Sequence, residues 1–179
     1  MKIHALATWV LAGSLLQCTQ APEKEPPGTL PTTQGTFAPY LPSIIKADID
    51  PYRPVKGKSR AEIKDLLKDM FEADQRWRDS LHTRHQPERN AFYQNKMVAT
   101  DAANRILLDR IIEEFGWPTL SAFGEEGVEA AWYILWHHRD DRTYLTKYLD
   151  QLQQAAAQKE IPYNHYLTVK EWVEWKAPQ

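Results

Sequence analysis

The sequence has one cysteine in 179 residues, so an intramolecular disulfide and a four-cysteine zinc site are both excluded. It has no excess of positive charge either: 22 Lys+Arg stand against 24 Asp+Glu, which argues against a dedicated nucleic-acid binder. No apolar run approaches the ~20 residues needed to cross a bilayer as a helix. No stretch alternates with period two for long enough to predict a strand, and no internal repeat is present. What remains is 20.8 kDa with 42% hydrophobic residues, enough for one domain with its own core but too small for a multidomain enzyme.

Divided along its length, the chain reads as three pieces. Residues 1–17 have Lys2 and then an apolar run from Ala5 to Leu16, the pattern of an export signal peptide. Leu15-Leu16-Gln17-Cys18 resembles the lipobox of bacterial lipoproteins, which implies a lipidated Cys18 as the first mature residue and attachment to a membrane. Thr19, not Asp, follows the cysteine, and the resemblance to Gram-negative sorting rules then points to the outer membrane facing the periplasm. A plain secretory signal releasing a soluble periplasmic or secreted protein is the alternative. Residues 18–58 follow as a linker: eight of the twelve prolines lie between Thr19 and Gly57, a density that favours extended chain over helix. Within it, the apolar cluster Leu41 to Ile45 is expected to pack on the domain surface.

Residues 59–179 form the third piece, with six of the seven tryptophans and 16 Lys+Arg against 20 Asp+Glu, a net of −4. This segment reads as an all-α domain of four to five helices. Ser59-Arg60-Ala61-Glu62 is a capping box ahead of a helix with Ile63, Leu66, Leu67, Met70, Phe71, Trp77 and Leu81 on one face. A second helix starts near Pro87 and stops at Gly116-Trp117-Pro118, where glycine suits a left-handed C-cap. A third runs from Gly124 to His137-His138, and a fourth is capped by Asp140 or Asp141 and carries Tyr144, Leu145, Tyr148, Leu149 and Leu152 inward. Tyr163 to Trp175 is left open between a short helix and an extended tail, with Trp172 and Trp175 as surface anchors for a partner.

Polar residues stand where these faces should be apolar. Asp74 and Arg78 are four apart on the first helix, Asp101 and Asn104 interrupt the stripe of the second, and His137 ends the apolar stretch of the third. A buried carboxylate without a partner is too costly to keep, so Asp74, Arg78, Asp101, Asn104 and His137 are expected to meet in one cluster. Such a set either fixes helix register or supplies general acid/base chemistry, with His137 as base and Asp74 or Asp101 orienting it. Against catalysis, there is no Gly-x-Ser-x-Gly elbow, and Ser121 is the only serine near the motifs.

At these residues the chain resembles the uncharacterised bacterial family DUF6624. The resemblance rests on Asp74-Gln75-x-x-Arg78, Asp101-x-x-Asn104, Gly116-Trp117-Pro118, Gly124 and His137, and covers roughly Leu66 to Tyr166. It departs from the family pattern at Trp136, where Gln is usual, and at Val169-Lys170, where Asp-Arg is usual. The family being of unknown function, the resemblance implies a helical fold and a list of motifs. No metal site is expected: His82 and His85 are three apart without an evident third ligand, and His137 and His138 project about 100° from each other on a helix. No cofactor is expected. The partners expected are a membrane through the lipid anchor and a protein or small molecule, but not nucleic acid.

Overall fold

The computed structural model describes residues 45–83 and 87–175; the signal peptide, Cys18 and most of the linker lie outside the described residues, as does His85. Five helices follow in order: α1 (Arg60–Thr83), α2 (Pro87–Phe115), α3 (Leu120–Trp136), α4 (Arg142–Ala157) and α5 (Tyr163–Glu174). Among the described residues there is no strand, and no helix is long and apolar enough to cross a membrane. The domain is all-α, as its periodicity predicts.

The helix ends are set by local chemistry. Ser59 and Glu62 form the capping box reciprocally: the Ser59 amide donates to Glu62 Oε2 at 2.8 Å and the Glu62 amide donates to Ser59 Oγ at 3.3 Å. Lys58, with the Ser59 donors behind it, holds the Glu62 carboxyl down at about 2. Gly116 ends α2 at φ +77°, a left-handed position that costs glycine nothing. Asp141 caps α4 by accepting from the Tyr144 amide at 3.0 Å. The segment from Tyr163, left open between helix and tail, is helical through Glu174.

α1 packs against both α2 and α3, and α4 pairs with α5. Ile63, Leu67 and Met70 of α1, Leu107, Leu108 and Ile111 of α2, and Ile134 and Leu135 of α3 are fully buried together. Leu145 and Leu152 carry the core into α4. Each such side chain contributes roughly 1.5–3 kcal/mol by leaving water. α2 is buried over a wide arc, with Ala103, Leu107, Leu108, Ile111 and Ile112 all buried. One reason lies in the segment before α1. Residues 46–58, which composition assigns to the linker, carry Ile49 and Val55 into the core. Arg110 holds that segment by donating to the carbonyls of Pro51 and Arg53 at 2.8 and 2.9 Å.

The tryptophans divide by role. Trp117 is buried, and Trp132 and Trp136 stack half-buried on α3. Trp172 is used within the fold, since its Nε1 donates to the Arg139 carbonyl at 2.7 Å and its ring meets Trp136 edge-on. Trp175 remains exposed, with Arg142 over its ring.

Candidate functional site

The structure brings the polar residues together where α1, α2 and the end of α3 meet. Asp74 and Arg78 sit one turn apart on α1, so both project towards α2 and α3. Arg78 grips Asp101 of α2 with both guanidinium nitrogens, Nη1 to Oδ1 at 3.0 Å and Nη2 to Oδ2 at 2.8 Å, the bidentate geometry that a planar fork allows. The same Nη1 donates to the Asp74 carbonyl at 2.9 Å and lies 3.2 Å from Asp74 Oδ1. His137, at the C-cap of α3, places Nδ1 2.9 Å from Asp74 Oδ1. Gln75 supplies a fourth contact, its Nε2 donating to Asp74 Oδ2 at 2.7 Å.

Burial grades across this group. The Asp74 side chain is 1% exposed, while those of His137, Asp101 and Arg78 are 14%, 15% and 16% exposed. Asp74 is thus the interior anchor, and the other three reach the surface. A carboxylate accepts, so the His137 ring donates through Nδ1, and Nε2 is the nitrogen turned away from Asp74. Among the described residues Nε2 has no hydrogen-bond partner, and it is not one of the buried unpartnered atoms, so it is open to solvent. Asn104 stands apart from the ion pairs. Fully buried, it donates from Nδ2 to the Met70 carbonyl at 3.0 Å, and its Oδ1 has no partner.

Helical geometry separates His137 from His138, and the fold uses that separation. His138 turns to α2 and meets the Asp101 carbonyl through Nε2 at 3.1 Å. A carbonyl only accepts, so Nε2 carries the proton. Burial pushes the His138 pKa down, against the pull of the Asp101 carbonyl. The two adjacent histidines therefore fasten α3 to α1 and to α2 respectively.

Three further polar centres escape sequence reasoning. Asp48 receives Lys96 Nζ and Trp77 Nε1 at 2.8 Å each and Arg76 Nη1 at 3.1 Å. Burial pushes its carboxyl up, but those donors, Lys96 foremost, outweigh it and hold the group low. Asp109 of α2 accepts from the hydroxyls of both Tyr144 and Tyr148 on α4, and burial together with that carboxylate drives both phenols well above their ordinary range. The spacing of Tyr144 and Tyr148 on the inner face of α4 is a signal that an acceptor faces their hydroxyls. His165 of α5 stacks on Trp132 at 4.5 Å and places Nε2 3.2 Å from Glu129 Oε1. Burial lowers its pKa to about 4.

Chemically, the Asp74–His137 pair can present one basic nitrogen, and Arg78 is committed to two carboxylates. Among the described residues no three metal-ligating side chains converge to hold an ion. Ser121 lies exposed near the start of α3, on the other side of the break at Gly124, and the continuous helix from Glu125 to Trp136 stands between it and His137. These features define an all-helical domain pinned by a buried ion network. The family of unknown function DUF6624 matches residues 61–169, more than half of the chain, and the protein belongs to that family. No curated protein and no solved structure matches it.

Proposed function

We propose that this protein is a cell-envelope lipoprotein whose helical domain serves as a binding or scaffold module. In this reading Cys18 carries the lipid, the outer membrane facing the periplasm is the destination, and the proline-rich residues ahead of Ile45 act as the spacer. The observation that carries the domain assignment is the closure of the ion network. Arg78 is engaged by Asp101 and Asp74, and Asp74 by Arg78, His137 and Gln75, so each charge of the network already faces a counter-charge within the fold.

One observation favours a second reading, a small hydrolase or transferase of the envelope. His137 Nε2 is open to solvent while its Nδ1 is oriented by a buried carboxylate, the arrangement of a general base. Two variants separate the readings. For a structural network, His137→Ala and Asp101→Asn both unfold at lower denaturant. For a catalytic one, both fold with undiminished stability and lose a turnover that the wild type shows. The anchor is read independently by incorporation of labelled palmitate into the full-length chain. Label that Cys18→Ser abolishes supports the lipoprotein; an unlabelled wild type recovered in the soluble fraction establishes the secreted or periplasmic alternative.

A further inference from the structure

α1 and α3 leave between them a cleft of about 420 Å³, lined by Lys68, Phe71 and Glu72 of α1 and by Glu125, Glu126 and Glu129 of α3. Helical spacing sets its walls: Lys68 and Glu72 are one turn apart, as are Glu125 and Glu129, so each pair shares a helix face. Most of the accessible lining is apolar all the same, supplied by the half-buried Phe71 ring and the methylene stems of the charged side chains. Tyr133 backs that ring, with 5.6 Å between ring centres.

The charge of this cleft is not balanced. Lys68 is the one cation in the lining and Lys64 stands 3.4 Å from Glu126, so four carboxylates face two ammonium groups and two negative charges are left over. Among the described residues neither Glu72 nor Glu125 has an ion-pair partner. Glu129 faces His165 Nε2 at 3.2 Å, and burial keeps that imidazole neutral at pH 7 by lowering its pKa to about 4. Burial, and then the charge of Glu125, push the Glu129 carboxyl up, as happens where a like charge is near and no cation answers it. A metal ion does not answer it either, because among the described residues no three ligating side chains converge on one point. The excess is spread instead over one turn of each helix, roughly 6 Å.

We infer that this cleft binds an aliphatic polyamine, with two ammonium groups against the carboxylates of Glu72, Glu125 and Glu129 and the methylenes between them on the Phe71 ring. Two positive charges match the two left over, and an ammonium beside an aromatic face gains a further attraction. A basic peptide carries the same charges but is the weaker fit. Among the described residues no strand edge is present to pair with an extended backbone, and a single ring is too little for the row of apolar anchors by which a helix seats in a groove. The site rests on the binding-module part of the reading above and gives that module a ligand class. It involves neither Cys18 nor His137, so its failure is read separately from that of the anchor and that of the ion network.

The test is titration of ¹⁵N-labelled full-length protein at pH 7 and low salt with 1,4-diaminobutane, followed by NMR. The backbone amides of Phe71, Glu72, Glu125 and Glu129 are expected to shift saturably with one common Kd. Butylamine, with one charge on the same stem, is expected to bind about two- to fivefold more weakly, the worth of one exposed ion pair. Glu125→Gln, a change at an exposed position, should weaken the diamine by a similar factor, while Glu114→Gln, at an exposed carboxylate of α2 outside the cleft, should leave the Kd unchanged. Amides unmoved at about 10 mM diamine overturn the inference. So does an equal Kd for butylamine or an affinity indifferent to Glu125→Gln, either of which reduces the effect to general screening. Equal or tighter binding by acetyl-Lys-Lys amide overturns it as well, by making the cleft a basic-peptide site.

Discussion

Arg78 of α1 and Asp101 of α2 are joined by two parallel hydrogen bonds, of 3.0 and 2.8 Å, at the point where α3 delivers His137 and His138. One guanidinium thereby ties three helices: α2 directly, and α3 through Asp74, which it shares with His137.

Asp101→Asn is therefore expected to destabilise the domain by about 3 kcal/mol, the lower end for breaking a buried pair, because Arg78 keeps Asp74 as a second carboxylate. Urea unfolding measures it. Replacing both partners, Arg78→Met with Asp101→Leu, should recover more than half of the loss, since no uncompensated charge is left behind. An unchanged midpoint for Asp101→Asn would sink the structural account of the network.

Asp48→Asn should loosen the segment before α1. The carboxylate gathers Lys96, Trp77 and Arg76, while its own amide donates to Thr100 Oγ1 at 3.3 Å, so one residue pins residues 46–50 to both α1 and α2. The expected loss is about 1.5–3 kcal/mol, the range for hydrogen bonds to a charged group, with faster amide exchange at Ile49. If exchange at Ile49 stays as slow as in wild type, the pin is elsewhere.

How much of this was legible in the sequence depends on how local each signal is. The capping box at Ser59, the stop at Gly116 and the Asp141 cap are decided within four residues, and they stand as expected. Asp74, Arg78, Asp101 and His137 were legible as misfits on apolar faces, because a buried charge demands a partner. Asn104 shares their helix face but bonds to a backbone carbonyl instead, a choice that no spacing encodes. The packing of Ile49 and Val55 was hidden by the prolines around them, since composition reports extended chain and not what the chain lies against. His138 was set aside because it cannot share an ion with its neighbour, yet a 100° separation is what lets the pair reach two different helices.

Gly124→Ala should cost about 1–3 kcal/mol without disturbing the ion network. Gly124 interrupts α3 at φ +70° and ψ −179°, a region closed to residues with a Cβ. Space is not the obstacle, since the nearest atom to an added Cβ is the flexible Lys64 Nζ at 3.5 Å. The cost is backbone strain, so Gly124→Ala and Gly124→Ser should lose similar amounts in chemical denaturation. A loss that grew with side-chain size would show crowding instead.

Stability should fall as pH drops from about 6.5 towards 4, and His165 should carry much of the change. An unfolded histidine takes its proton near 6.5, whereas burial holds folded His165 neutral down to about 4. Between those values the unfolded state binds more protons, so unfolding is favoured by acid, by at most about 3 kcal/mol at 1.36 kcal/mol per pK unit. His138, lowered by burial, acts in the same direction. Glu129, which faces His165, acts oppositely: burial and then Glu125 raise its pKa, so the folded state gives up its proton later than the unfolded one as pH rises past 4.5. Denaturation midpoints between pH 7 and 4.5 should thus fall less steeply in His165→Phe than in wild type, and more steeply in Glu129→Gln. A wild-type slope retained in His165→Phe would assign the acid sensitivity to other groups.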